Sequence, residues 1–154
     1  MGSTRALAFE QARAKWPEVV LGYDAWCAHL DGLGWLDDLP ATAGSLFLCC
    51  ACARRDPAAC RWLDEECLAA LRGVIVKEDA SEEFVDWVLG CARQQLLGGT
   101  LPKIATYDGR RPLAVWLRLI VRRLAFEQKR ADRGAVPAPP PPTSPFSGLR
   151  RARS

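Results

Sequence analysis

Cysteine and histidine are the residue types here that most readily suggest chemistry. Cys49, Cys50 and Cys52 are clustered and His29 is the single histidine, a set that invites a zinc site. A structural zinc site is built from paired C-x-x-C spacings, which Cys49-Cys50-x-Cys52 does not supply, and all three fall inside one predicted helix. Cys60 and Cys67 are seven residues apart, which places both on one helical face expected to be buried. The remaining two, Cys27 and Cys91, bring the total to seven. An odd number without an export signal argues against a disulfide framework and for reduced thiols. Metal or redox sensing is the lesser alternative; no metal and no cofactor are expected. With one histidine, no glycine-rich phosphate loop leading from a strand and no nucleophile motif, an enzyme is not expected either.

The second available chemistry is polyanion binding. Residues 1–102 carry nine Lys and Arg against fifteen Asp and Glu, a balance of −6. Residues 103–133 carry nine basic residues against Asp108, Glu127 and Asp132, a balance of +6, and Arg150, Arg151 and Arg153 complete the net charge of +3. Such asymmetry points to two different partners, one of them a polyanion.

These charges must be positioned by helices, because no run of β-branched residues alternates with polar ones long enough to argue for a sheet. The fold class expected is all-α, a compact helical bundle. A first helix runs from about Thr4 to Lys15 and stops near Trp16, before Pro17. A second occupies Tyr23 to Leu33. After the break at Pro40, Thr42 and Gly44, Ser45 is a candidate N-cap for Leu46 to Arg54. Asp56-Pro57 is a helix start, since Asp accepts first-turn amides and Pro at the first helical position forfeits no bond. That helix is expected to bury Cys60, Leu63, Cys67, Leu71 and Val74 and to end near Lys77.

Ser81 starts the next helix, with Glu82 and Glu83 at the positive end of its dipole, a stripe of Val85, Val88, Leu89, Ala92 and Leu96, and Gly98-Gly99 as its stop. A loop then leads to a last helix beginning at Pro112. Its residues Leu113, Trp116, Leu117, Ile120, Val121 and Leu124 fall within roughly 140° of one another at 100° per residue. They form a core face, and Arg118, Arg122, Lys129 and Arg133 form a basic ridge on the opposite side. Residues 134–154 turn to Ala-Val-Pro-Ala-Pro-Pro-Pro-Pro-Thr-Ser-Pro, which cannot pack a core and reads as a disordered tail. At 154 residues one modest core is expected. The apolar stretches stop short of the roughly 20 residues of a membrane span, and Met1 to Ala14 lacks the apolar core of a secretion signal, so the expected address is cytoplasmic.

The most specific segment is YDGRRPLAVWLRLIVRRLAFEQKR, Tyr107 to Arg130. It resembles the pattern of region 2 in bacterial RNA polymerase sigma factors of the extracytoplasmic-function type. That pattern has an aromatic, a glycine two residues on, Trp-Leu, an Ile three residues later, then Arg-Asn, an acidic residue and a basic end. Tyr107, Gly109, Trp116, Leu117, Ile120, Arg122, Glu127 and Arg130 occupy those positions, with Arg123 in place of the usual Asn and Glu127 in place of the usual Asp. EEFVDWVLGCARQQLL, Glu82 to Leu97, is similar to the family's polymerase-binding helix, with Asp86 where Gln is usual. LFLCCACARRDPAACRWLDEECLAALR, Leu46 to Arg72, resembles its opening helices. The likeness is nearest to Ala- and Arg-rich myxobacterial variants and covers about residues 45–133, leaving 1–44 as an N-terminal helical extension and 134–154 as the tail.

The resemblance implies a transcription initiation module without catalysis. Glu82, Glu83, Asp86 and Gln94 would face the clamp helices of core RNA polymerase. Lys103, Arg110 and Arg111 would frame the loop that captures a flipped base of the minus-ten element. Arg118, Arg122, Arg123, Lys129 and Arg130 would hold phosphates of the melted non-template strand. Tyr107 would either stack on a base or pack beneath the loop. A complete factor of this type continues into a helix-turn-helix that reads the minus-35 element, whereas this sequence runs into proline. Hence three readings compete: a minimal or partner-assisted sigma factor, a regulatory decoy that occupies the polymerase clamp or another regulator without initiating transcription, and an inactive remnant of a longer reading frame. An anti-sigma or partner regulator is a further expected partner. Trp16, Tyr23, Trp26, Leu30, Trp35 and Leu36 either pack on the main domain or form a partner surface.

Overall fold

Breakers and caps divide the chain where the sequence places them. In the computed structural model, which describes residues 4–36 and 38–132, α1 (Thr4–Lys15) stops before Trp16-Pro17, and α2 (Tyr23–Leu33) ends on Gly34 in the left-handed conformation at φ 87°. Glycine takes that conformation without a Cβ penalty. No β-strand occurs among the described residues, and the fold is an all-α bundle. None of its described helices is long and apolar enough to cross a membrane. The proposed tail (134–154) and the cation Arg133 lie outside the described residues.

Helix α3 (Ala43–Ala53) is central. Leu46 through Cys52 are all buried, as a helix that is apolar all round must be. Phe47 collects aromatic rings from the first two helices and the segment between them: Phe9 at 5.8 Å, Trp26 at 5.9 Å and Trp16 at 6.5 Å between centroids. Trp26 and Leu30 are fully buried in the same continuous core as Leu96 and Leu117. The aromatic residues before position 45 therefore divide. Trp16, Trp26, Leu30 and Trp35 pack inward, while Tyr23 and Leu36 stay exposed. Arg5 fastens α1 to the end of α2 by donating to Asp31 and, at 2.7 Å, to the Trp35 carbonyl.

The helix expected to start at Asp56-Pro57 does so. Asp56 accepts the Ala59 amide at 2.9 Å and Pro57 is the first helical residue. It is not regular, however. After α4 (Pro57–Trp62) come a π-helical turn (Leu63–Leu68), a 3₁₀ turn (Ala69–Leu71) and α5 (Arg72–Val76). A π turn inserts one residue into the helical count. Leu63 and Leu71 are buried as expected, whereas Leu68 and Ile75 are buried in place of Cys67 and Val74, one residue further on, and Ala59 in place of Cys60, one residue earlier; Cys60, Cys67 and Val74 are only half-buried. Helix α3 also starts before the expected Ser45 cap. Thr42, in the N-cap position, makes no side-chain cap bond; its backbone (φ −86°, ψ 15°) is not the extended one of a capping residue, and its hydroxyl donates to the Gly109 carbonyl at 2.5 Å.

Helix α6 (Glu82–Leu97) is capped by Ser81, whose hydroxyl accepts the Phe84 amide at 3.2 Å. Its far end is closed from outside. Arg55, at φ 65°, sends its guanidinium to the carbonyls of Leu97 (3.2 Å) and Gly99 (2.9 Å), satisfying acceptors at the negative end of the helix. A 3₁₀ turn (Lys103–Thr106) then buries Ile104 against the core. Helix α7 (Leu113–Asp132) packs on α5 and α6 through Leu113, Leu117, Ile120, Val121 and Ala125.

Candidate nucleic-acid and partner surfaces

The loop before α7 is held by its own residues. Tyr107, fully buried, packs at 5.3 Å on Trp116 and donates its hydroxyl to the Arg111 carbonyl at 2.6 Å. Burial raises its pKa, so the phenol remains a donor at neutral pH. Gly109 has φ 80°, and a Cβ there would lie 2.9 Å from Leu46 Cδ1 and from Thr42 Oγ1. The loop therefore rests directly on α3, and only glycine fits. Trp35 adds a third tie, donating its indole N–H to the Asp108 carbonyl at 2.7 Å.

This arrangement selects between the two roles open to Tyr107. The ring packs beneath the loop and presents no face on which a base could stack. Around it the loop cations are placed differently from one another. Arg110 is exposed, lies 4.7 Å over the Trp35 ring and pairs with Asp108 at 3.7 Å. Arg111 is exposed; Lys103 is half-buried in its 3₁₀ turn.

On α7, Arg118, Arg122, Arg123 and Arg130 are all exposed. At 1.5 Å per residue they cover roughly 18 Å of helix. Lys129 departs from this group. Its ammonium binds Asp79 at 2.8 Å and lies over the Phe84 ring, an ion pair that fastens α7 to the turn before α6. The sequence reading also passed over Val115, Leu119 and Phe126, which are exposed among these arginines. Their spacing of four and seven residues, opposite the apolar stripe, was the available signal.

Glu82, Glu83, Asp86 and Gln94 share one side of α6 with Arg93 at 100° per residue. Glu82 and Glu83 are exposed in the first turn. Further along, the irregular 57–76 segment reaches this side. Arg72 pairs with Asp86 at 3.2 Å and Arg93 with Asp64 at 3.0 Å. Asp86 and Gln94 are half-buried. The strongly acidic, open part of the helix is thus its N-terminal turn.

The cysteines are spread between the core and its margin. Cys49, Cys50 and Cys52 are buried in α3, and no group of three or more His, Cys, Asp or Glu among the described residues is arranged to hold a metal ion. His29 is half-buried, and desolvation lowers its pKa, so it favours the neutral form. No protein-family model, curated protein or solved structure matches the chain.

Proposed function

We propose that this chain is a transcription initiation module of the sigma region 2 kind, docking on core RNA polymerase through the acidic first turn of α6 and holding melted non-template DNA along α7 and the loop before it. The observation that carries this reading is a division of labour within the Tyr107–Arg130 motif. Its apolar and small members do structural work: Tyr107 and Gly109 anchor the loop and Leu117 and Ile120 fill the core. Its arginines, Arg110, Arg111, Arg118, Arg122, Arg123 and Arg130, are exposed. Solvation alone calls for polar residues of either sign, whereas this stretch sets six exposed arginines against Asp108 and Glu127.

The mechanism is differential binding. Exposed guanidinium groups neutralise strand phosphates and release counterions, so affinity falls as salt rises. If single strands are held more tightly than duplex, the open promoter is favoured by that difference and by nothing else. Two measurements test the proposal: fluorescence anisotropy with a single-stranded oligonucleotide over a salt series, and run-off transcription with core enzyme. Arg122→Glu/Arg123→Glu is expected to weaken oligonucleotide binding and reduce the salt slope by about 0.7 for each phosphate no longer neutralised. Glu82→Lys/Glu83→Lys is expected to abolish recovery of polymerase while leaving oligonucleotide binding intact. Unchanged binding in both variants would refute the reading.

A second reading is favoured by Tyr107. Its burial removes the aromatic face nearest the loop, which suits a decoy that occupies the polymerase clamp without opening DNA. Binding to core enzyme with no run-off product, together with inhibition of another sigma factor, distinguishes it.

A further inference from the structure

Helix α7 turns three large apolar side chains away from the core. Val115, Leu119 and Phe126 are 37%, 45% and 52% exposed, and at 100° per residue they fall within roughly 40° of one another. They form a seam about 16 Å long. The seam is not the margin of the core, because the buried stripe from Leu113 to Ala125 lies on the far side of the helix. Arg118 and Arg122 border it on one flank, Arg123 and Arg130 on the other.

A nucleic-acid strand can use the arginines and can stack one base on Phe126, but its bases hang from a charged backbone and do not offer the continuous apolar stripe that Val115, Leu119 and Phe126 together call for. Separations of four and seven residues are those at which one helix meets another, and cations on both flanks call for carboxylates on both flanks of the occupant. The chain's own residues 133–154 contain Arg133, Arg150, Arg151 and Arg153 and no Asp or Glu, so their charge does not complement this face. We propose that the outer face of α7 docks an acidic amphipathic helix of a partner protein, its apolar seam on Val115, Leu119 and Phe126 and its carboxylates on the four arginines. These are the arginines assigned above to DNA, so the helix and the strand exclude each other. That exclusion rests on the DNA-binding reading, whereas the docking itself does not.

The test uses the full chain and three labelled probes in anisotropy titrations. One is a helical peptide of about three heptads with Leu along its seam and Glu on both flanks; the second is the same composition scrambled; the third is a single-stranded oligonucleotide. The amphipathic peptide is expected to bind at least about tenfold tighter than the scramble and to displace the oligonucleotide. Val115→Ser/Leu119→Ser/Phe126→Ser changes three exposed positions; the variant is expected to keep the wild-type circular dichroism spectrum and oligonucleotide affinity and to lose that preference. Equal binding of the two peptides, or an unchanged preference in the triple variant, overturns the proposal. So does a triple variant that loses only the oligonucleotide, which would make the seam a base platform. A wild-type dimer that the triple variant dissociates would make a second copy the occupant, also against the proposal. Peptide docking with no oligonucleotide binding upholds the docking and defeats the DNA reading alone.

Discussion

Lys129 near the end of α7 and Asp79 in the turn before α6 are joined by an ion pair of 2.8 Å, fifty residues apart in sequence. The carboxylate also accepts the Ser81 amide at 2.9 Å. The hydrogen bond from Lys129, followed by that from Ser81, lowers the Asp79 pKa to about 2. A depressed carboxyl pKa stabilises the fold fully above the unfolded value near 3.8, and that contribution is lost as pH falls towards 2. Asp79→Asn is therefore expected to melt below wild type at pH 7, with the difference shrinking between pH 4 and pH 2. Thermal unfolding across that range is the measurement. A gap that stays constant with pH would place the effect elsewhere than in the ion pair.

The close approach of Gly109 to α3 gives a sharper stability test. Gly109→Ala forces a Cβ to 2.9 Å from Leu46 and Thr42 in a backbone region that L-residues avoid. A loss of about 1 to 3 kcal/mol is expected. Gly73 in α5 is the contrasting case, exposed and with nothing within 4 Å of an added Cβ. There Gly→Ala is expected to stabilise by about 0.5 to 1 kcal/mol, since alanine is the better helix former. A denaturant midpoint that falls for Gly73→Ala would contradict the openness of that site, and one that rises for Gly109→Ala would contradict the close approach to α3.

How far these features could be read from sequence depended on whether their cause was local. The limits of α1, α2 and α6 follow from Pro17, Gly34, Ser81 and Gly98, each acting within a few residues, and the sequence reading places those helices where the structure has them. The burial of Leu68 and Ile75 in place of Cys67 and Val74 was not legible, because the change from α to π to 3₁₀ geometry between Leu63 and Leu71 has no proline or glycine to announce it. Among site residues, the exposure of Arg118, Arg122, Arg123 and Arg130 follows from their position opposite an apolar stripe. The pairing of Lys129 with Asp79 and of Asp86 with Arg72, and the roof that Thr42 and Trp35 help hold over Tyr107, depend on tertiary neighbours that no periodicity encodes.

Tyr107 supplies a test that separates packing from base contact. Tyr107→Phe keeps the ring on Trp116 but deletes the O–H that binds the Arg111 carbonyl at 2.6 Å. A loss of about 1 to 2 kcal/mol in unfolding free energy is expected. Oligonucleotide affinity of the folded protein is expected to stay within about twofold, since the ring is fully buried in both proteins. Quenching of a base analogue by wild type but not by a Tyr107→Leu variant of equal fold would show that the ring does reach DNA.

The buried thiols give the last test, because their environment argues against both redox sensing and metal binding. Desolvation pushes Cys50 and Cys67 up to about 12 and raises Cys49 and Cys52 as well. Cys52 further donates its thiol to the Ala59 carbonyl at 3.2 Å. The thiolate is the form that attacks oxidants and binds metals, and a pKa of about 12 leaves roughly one molecule in 10⁵ ionised at pH 7. Labelling of Cys49, Cys50 and Cys52, the three of these that are buried, by a disulfide reagent at neutral pH is therefore expected to proceed only as fast as the protein unfolds. Chelator and reductant are expected to leave the melting temperature unchanged. Rapid labelling of Cys52 in the folded protein, or a melting temperature that falls with chelator, would restore a chemical role to the cluster.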